Sequence, residues 1–229
     1  MTFRHPAAGT HPAFATPHYG STALRAPKLA PLPLAQGPVE LSGPRFDTSV
    51  LYPHHDDMTR QSTAAPLGER IIVAGQVRDE NGLPVPNTLV EIWQCNAAGR
   101  YHHPRDDHDA PLDPHFNGNS RVLTDAQGHW KITTIKPGAY PWRNHPNAWR
   151  PAHIHFSVFG SSMLQRLITQ MYFPGDPLLG DDPIFNSIPN DKVKERLVSR
   201  FDWSLTQPEW ALGYRFDIVL RGDEATPAN

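Results

Sequence analysis

The chain has 229 residues, of which 38% are hydrophobic and 19% are charged, and its formal net charge at pH 7 is -2. This balance argues against nucleic-acid binding, which favours a clear excess of basic residues. No apolar run is long enough to span a membrane, and the N-terminal residues lack the apolar stretch of a secretory signal. Cys95 is the single cysteine, which excludes an intramolecular disulfide. We therefore expect a cytoplasmic protein.

Proline is unusually frequent, with 25 of 229 residues, about double the ordinary usage. Residues 1–66 contain ten of these prolines, and residues 27–38 (PKLAPLPLAQGP) predict an extended, polyproline-like segment. This segment could not bury a core by itself. Within residues 1–66, the side chains of Tyr19, Leu32, Leu34 and Leu41 could serve as apolar anchors. They favour an N-terminal arm that wraps around a partner subunit over a disordered tail.

From residue 70 onward the sequence alternates in the manner of β-strands that are separated by turns. Asn81-Gly82 predicts a tight turn, and residues 125–128 (DAQG) give a second hairpin signal. The predicted strands cover residues 70–77, 88–94, 122–124, 129–134, 153–159, 167–172 and 214–220. We therefore expect residues 67–229 to form a mainly β domain, an antiparallel β-sandwich of the prealbumin-like type.

One short helix is predicted over residues 191–200, with Asn190 as its N-cap and with Val193 and Leu197 on one face. Residues 79–86 form an Asp-x-x-Gly-x-Pro-Val-Pro turn between two predicted strands, the second of which contains Trp93. This pattern is also common in prealbumin-like modules that only bind other domains or separate them. From residues 70–135 alone, such a non-enzymatic module is the favoured interpretation.

The histidine pair His153 and His155 lies in a predicted strand. Side chains at i and i+2 of a strand project from the same face, so both imidazoles could bind one metal ion. A His-x-His pair is a weak indication by itself, because two ordinary strand histidines are more common. The neighbouring residues lack the carboxylate that a cupin or a two-histidine, one-carboxylate Fe(II) site would need.

Two tyrosines could complete such a site. Tyr140 follows Pro137 and Gly138 in a predicted loop, and Tyr101 follows Gly99-Arg100. A phenolate is a hard anionic ligand, and two phenolates with two imidazoles would favour Fe(III) over Fe(II). For either tyrosine alone, a buried structural phenol is the more common role.

Several motifs together are similar to those of a known family. They are Gly99-Arg100-Tyr101, residues 134–143 (TIKPGAYPWR), residues 149–156 (WRPAHIHF), residues 167–176 (LITQMYFPGD) and residues 214–222 (YRFDIVLRG). Over residues 70 to 221 the chain resembles the intradiol ring-cleaving dioxygenases. Residues 11–19 (HPAFATPHY) also resemble the start of the β chains of the family members that are built from α and β chains.

The resemblance implies a non-haem Fe(III) held by two tyrosines and two histidines. By position these are Tyr101, Tyr140, His153 and His155. All four are present, whereas the related α chain lacks them. The resemblance also places Arg150 beside the substrate ring, where it would stabilise developing charge; the alternative for Arg150 is a salt bridge to a nearby carboxylate. The implied substrate-binding residues are Tyr19, Trp142 and Gln170.

The implied reaction is cleavage of protocatechuate by O2 to 3-carboxy-cis,cis-muconate, a step of aromatic catabolism in the β-ketoadipate pathway. The implied partner is a homologous α chain in a large αβ oligomer. A family member that acts on catechol or hydroxyquinol is the first alternative. Those relatives carry a helical N-terminal segment, for which residues 1–66 are too rich in proline. A non-enzymatic binding module is the alternative from another class.

Overall fold

The structure, a computed structural model, describes residues 4–32, 37–38, 42–143, 148–162 and 166–228. Within these ranges no helix is long and apolar enough to cross a membrane. The strands are β1 (Arg70–Arg78), β2 (Leu89–Trp93), β3 (Asn119–Leu123), β4 (His129–Ile135), β5 (Tyr140–Trp142), β6 (Ala148–Arg150), β7 (His153–Phe159), β8 (Arg166–Tyr172), β9 (Arg200–Phe201), β10 (Leu212–Arg215) and β11 (Ile218–Val219). The α-helices are α1 (Thr22–Arg25) and α2 (Asp191–Lys194).

Two main sheets form the body of the molecule. One is antiparallel, with four strands in the order β3-β2-β7-β8, and the other has five strands centred on β1. In the second sheet β1 pairs with β4 on one side and with β10 and β11 on the other, and β9 extends β10. The mainly β class is confirmed. The pairing of β1 with β10 and β11 is parallel, however, which differs from the predicted all-antiparallel arrangement.

Aromatic side chains from both sheets share one core. The ring of Phe156 on β7 lies 5.1 Å from that of Trp130 on β4 and 5.3 Å from that of Phe216. Along β7, alternation places Ile154, Phe156 and Val158 in this core. The same alternation leaves His153 and His155 on the opposite face of the sheet.

Two strand predictions differ from the structure in their connections. The predicted strand 214–220 is divided into β10 and β11, because the carboxylate of Asp217 replaces a backbone acceptor and accepts a hydrogen bond from Gln76 N at 3.0 Å. Residues 125–128 do form a turn, in which Gly128 N donates to Asp125 O at 3.0 Å. The turn connects β3 to β4, which lie in different sheets, so it is not a hairpin.

The predicted helix is shorter than expected. Asn190 is its N-cap, as predicted, and accepts a hydrogen bond from Lys192 N at 3.1 Å. Helix α2 ends at Lys194, and one 3-10 turn (Glu195–Leu197) follows it. Beyond the turn the chain becomes extended because Ser199 N donates to Tyr172 O at 2.8 Å, which draws it alongside β8. Helix α1 was not predicted.

The N-terminal arm contacts its own chain at several points. Ala228 N donates to His11 Nδ1 at 2.9 Å, and Met58 is fully buried in the core. Leu32 is 84% exposed, whereas the other predicted anchors Leu34 and Leu41 lie outside the described residues. The division of the chain at residue 66 and the wrapping of the arm around another subunit therefore stay predictions.

Gly75 in β1 provides a test of the packing between neighbouring strands of the five-stranded sheet. A Cβ atom at this position would overlap the carbonyl oxygen of Phe216, whereas one at Gly180 would meet nothing within 4 Å. We expect Gly75→Ala to lower the free energy of unfolding by about 1–3 kcal/mol, since the backbone between β10 and β11 must move. Gly180→Ala should change it by less than about 0.5 kcal/mol. Denaturant unfolding of both variants measures this, and equal effects would contradict the packing described.

Candidate active site

The four candidate metal ligands lie together on the face of the antiparallel sheet that points away from the core. Tyr140 Oη is 3.3 Å from His153 Nε2, and Tyr101 Oη is 3.1 Å from His155 Nε2. The two imidazole rings are 4.8 Å apart, and the two phenol rings are 5.5 Å apart. Two oxygen and two nitrogen donors therefore converge on one small volume.

Both histidines are fixed in orientation by neighbours outside the ligand set. His153 Nδ1 lies 2.7 Å from Pro151 O and must donate to it, which leaves the lone pair on Nε2. The ring of His155 stacks on Trp93 at 4.9 Å and 2°. Burial, followed by the positive charge of Arg150, lowers the pKa of His155 to about 3 and that of His153 well below its ordinary value. Both rings are therefore neutral near pH 7 and available as ligands.

The sequence predicted a loop at Tyr140, and this prediction is wrong. Tyr140 begins β5, where it pairs with Arg150 of β6. The pairing is possible because Gly138 N donates to Asn96 O at 2.9 Å, which holds the start of the strand against the segment after β2. Gly99 in that segment has φ +80°, and a Cβ atom there would overlap the carbonyl oxygen of Ala139. A glycine at residue 99 thus allows the two tyrosine-bearing segments to touch.

Tyr101 is held by a dense set of local hydrogen bonds. Its backbone N–H donates to Asp106 Oδ2 at 2.7 Å. The side chain of Asn96 accepts from Arg100 N at 2.9 Å, and the Arg100 guanidinium in turn donates to Ala110 O at 2.9 Å. These bonds fix the backbone at Arg100 and at the N–H of Tyr101 without contacting its phenol.

Both phenols lie in partly buried residues and are uncharged in the absence of a cation. Burial raises the pKa of Tyr101 well above its ordinary value, and the neighbouring Tyr140 raises it further. Burial also raises the pKa of Tyr140, which the positive charge of Arg150 partly opposes. Within the described ranges no cluster of three or more His, Cys, Asp or Glu residues could hold a metal ion. A metal at this position would therefore need the phenols, and it must be charged enough to ionise them.

Arg150 is held in a fully buried ion pair beside the ligands. Its Nε lies 2.8 Å from Asp182 Oδ1, and its Nη2 donates to Asp182 Oδ2 at 3.1 Å. Nη2 also donates to Tyr172 Oη at 3.0 Å and to Gln170 Oε1. The alternative interpretation of Arg150, a salt bridge, is thus what the structure contains. Asp182 and Tyr172 were not predicted, because nothing in the sequence distinguishes the buried Asp182 from the exposed Asp181.

The remaining predicted site residues surround this pair. The guanidinium of Arg150 lies 5.8 Å from the centre of the Trp142 ring, and the Tyr19 ring packs on Trp142 at 4.8 Å. Gln170 on β8 is the register partner of His155 on β7. All eight residues singled out from the sequence therefore form one cluster, to which the arm contributes Tyr19.

A cavity of about 720 Å³ elsewhere in the molecule contains none of these residues. A cavity of about 650 Å³, by contrast, opens beside the two phenols. Its lining includes Tyr101, Tyr140 and Trp93, together with His103 and residues 105–109 of the segment that follows Tyr101. It is large enough for a small aromatic acid. A largely buried set of two phenols and two imidazoles beside such a cavity defines a mainly β protein with a candidate metal centre.

Comparison with known proteins agrees with this class. The family described as "Dioxygenase" matches residues 41–222, and the family described as "Protocatechuate 3,4-dioxygenase beta subunit N terminal" matches residues 3–37. The protocatechuate 3,4-dioxygenase beta chain of Burkholderia cepacia is 54% identical over 95% of this chain and 93% of its own length. The chain belongs to the intradiol ring-cleaving dioxygenases. Within that family it groups with the protocatechuate 3,4-dioxygenase beta chains, so the resemblance found in the motifs is confirmed.

Two more distant relatives place the chain within the family. The protocatechuate 3,4-dioxygenase alpha chain of Burkholderia cepacia is 30% identical over 79% of this chain and 81% of its own length. The structure of catechol 1,2-dioxygenase from Acinetobacter sp. ADP1 is 28% identical, with a TM-score of 0.53, over 74% of this chain. This chain spans 58% of that structure. The chain is thus an enzyme of the dioxygenase class.

Proposed function

We propose that this chain catalyses the Fe(III)-dependent intradiol cleavage of protocatechuate by O2 to 3-carboxy-cis,cis-muconate, in cytoplasmic aromatic catabolism. The observation that carries the proposal is the convergence of two partly buried phenols with the imidazoles of His153 and His155, in which Tyr101 and Tyr140 each lie within 3.3 Å of a histidine Nε2. The 54% identity to a protocatechuate 3,4-dioxygenase beta chain supports the choice of substrate.

The residues present fit a trivalent iron. Its ligands would be Tyr101, Tyr140, His153 and His155. Hard phenolate donors favour Fe(III), and the raised pKa values of both phenols mean that a strongly charged cation is required to ionise them. When bound, Fe(III) supplies a Lewis acid and an electron acceptor for the catechol ring.

The two tyrosines take different roles in this proposal. Tyr140 would be one of the residues that hold the metal, and its phenolate oxygen would be the base that accepts a proton from a catechol hydroxyl. It begins a strand of only three residues and lines the 650 Å³ cavity, into which its side chain can turn. Tyr101 keeps its position, because its backbone is fixed by Asp106 at 2.7 Å.

Tyr19 is the proposed contact for the substrate carboxylate. Its ring is oriented by Trp142 on one side and by the guanidinium of Arg25, 4.6 Å from its centre, on the other. A phenol hydroxyl and a nearby cation favour a substrate that carries a carboxylate. Catechol and hydroxyquinol, the substrates of the first alternative, have none.

Steady-state assays test the substrate. We expect kcat/KM for protocatechuate to exceed the values for catechol and hydroxyquinol by at least about 100-fold, since unpaired polar groups in a site strongly disfavour a substrate that lacks their partner. NMR identification of 3-carboxy-cis,cis-muconate checks the position of cleavage. The proposal would be contradicted by a preference for catechol. It would also be contradicted by a product in which a ring bond other than the one between the two hydroxyl-bearing carbons is broken.

The metal is tested by removal of single ligands. Iron should co-purify at about one atom per chain, and His153→Ala or His155→Ala should lose most of it, because each variant removes one of four protein ligands. His129→Ala is the matched control, since the His129 side chain is half exposed and forms an ion pair with Asp125, away from the four candidate ligands. Elemental analysis measures the iron content of the wild-type protein and of each variant. Stoichiometric zinc or copper in active enzyme would argue against the iron assignment.

Substitution of each tyrosine by phenylalanine tests the division of roles. The iron-containing fraction of Tyr140→Phe should bind protocatechuate about 10²–10⁴-fold more slowly than wild type, because the internal base is lost. Tyr101→Phe should instead shift the visible absorption band that remains in the substrate complex. Stopped-flow mixing with protocatechuate without O2, and then with O2, separates the two steps. If Tyr140→Phe binds at the wild-type rate and Tyr101→Phe does not, the roles are reversed.

A homologous α chain is the proposed partner. Three leucines of the arm have exposed side chains and could contact it, namely Leu24 at 92%, Leu29 at 85% and Leu32 at 84%. The 30% identity to an alpha chain shows that such a homologue exists in this family. Expressed alone, the chain should be poorly soluble or weakly active, and co-expression with the α chain should restore activity. A fully active monomer in size-exclusion chromatography would contradict this.

A further inference from the structure

Residues 16–25 of the arm form a small folded unit around one buried side chain. Thr22 is 4% exposed, and no other residue between His11 and Arg25 is buried. Leu24 is 92% exposed, so the burial of apolar side chains within the unit contributes little to its fold. The polar contacts of Thr22 therefore hold this part of the arm in shape.

The hydroxyl of Thr22 closes the chain on itself. Its Oγ1 accepts a hydrogen bond from Thr16 N at 2.8 Å. The same oxygen lies 2.7 Å from Tyr19 O and 3.0 Å from Thr16 O, either of which can accept its proton. In the backbone, Tyr19 N donates to Thr16 O at 2.9 Å, and Thr22 N donates to Tyr19 O at 2.9 Å. One side-chain oxygen thus joins the residues on both sides of Tyr19.

The folded unit presents the ring of Tyr19 to the candidate active site. The ring packs on Trp142 at 4.8 Å. Trp142 and Tyr140 are two residues apart on β5, so their side chains project from the same face of that strand. The guanidinium of Arg25, at the end of the helix that Thr22 begins, lies 4.6 Å from the centre of the Tyr19 ring. A change at Thr22 is therefore expected to shift the proposed contact for the substrate carboxylate.

We propose that Thr22 is a positioning residue, which sets the preference of the site for a catechol that carries a carboxylate by holding Tyr19 against Trp142. A polar contact discriminates between substrates only where its position is fixed, and small displacements of such groups have large effects. Thr22 acts through Tyr19 and not by contact with the substrate. The inference rests on the proposed function for the substrate and for the role of Tyr19.

Thr22→Val in the iron-loaded αβ enzyme tests the proposal, because valine keeps the shape of threonine but removes the acceptor of Thr16 N. Anaerobic titration, followed by the visible absorption of the protein, gives the dissociation constants of protocatechuate and catechol. We expect Thr22→Val to bind protocatechuate about tenfold more weakly, the effect of one lost hydrogen bond to a charged group. Catechol has no carboxylate, so its affinity should stay within about twofold of wild type. Thr22→Ser keeps the hydroxyl and should restore the affinity for protocatechuate to within about threefold.

Thr16→Val is the matched control. It makes the same chemical change within the same unit, but the Thr16 hydroxyl donates to Ala13 O at 3.4 Å, outside the contacts of Thr22. Hydrogen–deuterium exchange of residues 12–26 provides a measurement that is independent of substrate. Thr22→Val should speed the exchange of the Thr16 and Tyr19 amides, and Thr16→Val should not. Equal effects of the two variants would contradict a specific role of the Thr22 hydroxyl.

A double-mutant cycle with Tyr19→Phe separates positioning from a general loss of arm structure. If Thr22 acts through Tyr19, the addition of Thr22→Val to Tyr19→Phe should weaken protocatechuate binding by less than about twofold, because the contact is already lost. A further tenfold loss in the double variant would overturn the proposal. Unchanged protocatechuate affinity in Thr22→Val alone would overturn it as well.

Failure of the proposed function gives a different result. Wild-type enzyme would then bind protocatechuate no better than catechol, or Tyr19→Phe would keep the wild-type affinity. A wild-type enzyme that prefers protocatechuate, and that loses this preference in Tyr19→Phe but keeps it in Thr22→Val, would refute the role of Thr22 alone.

Discussion

The alternation of side chains along β7 is the constraint on which the rest of the site depends. Ile154, Phe156 and Val158 face the shared core, so the intervening histidines must face the other way. Because the core residues are fixed by both sheets, the two imidazoles are fixed as well, with rings 4.8 Å apart. The site is thus built on the rigid sheet, and the shorter segments bring the phenols to it.

Electrostatic balance is the second requirement of a site buried this deeply. The phenols are neutral without a cation, the histidines are neutral near pH 7, and Arg150 is paired with Asp182 at 2.8 Å. Each charged group therefore has a partner, either within the chain or in the proposed metal.

The sequence predicted those parts of the structure that follow from local pattern. The alternation of apolar and polar residues was sufficient to predict β7 and the common face of its two histidines. The preference of asparagine for N-cap positions was sufficient to predict Asn190 as the start of helix α2. Tyr101 and Tyr140 could be assigned only through family resemblance, because a lone buried tyrosine has no local signal for metal binding. Asp182 could not be found, since its burial depends on a contact with Arg150, 32 residues away. The parallel pairing of β1 with β10 was missed for the same reason, since it joins residues far apart in the chain.

Resonance Raman spectroscopy of the iron-loaded wild-type protein, excited within its visible absorption band, tests the central claim most directly. Tyrosinate bound to Fe(III) absorbs visible light by charge transfer, and excitation in that band enhances the ring vibrations of the bound phenolates. We predict enhanced tyrosinate modes in the resting protein, part of which disappear when protocatechuate is added without O2 because Tyr140 leaves the metal. A spectrum without tyrosinate modes would show that Tyr101 and Tyr140 do not hold the iron, and would contradict this account of the site.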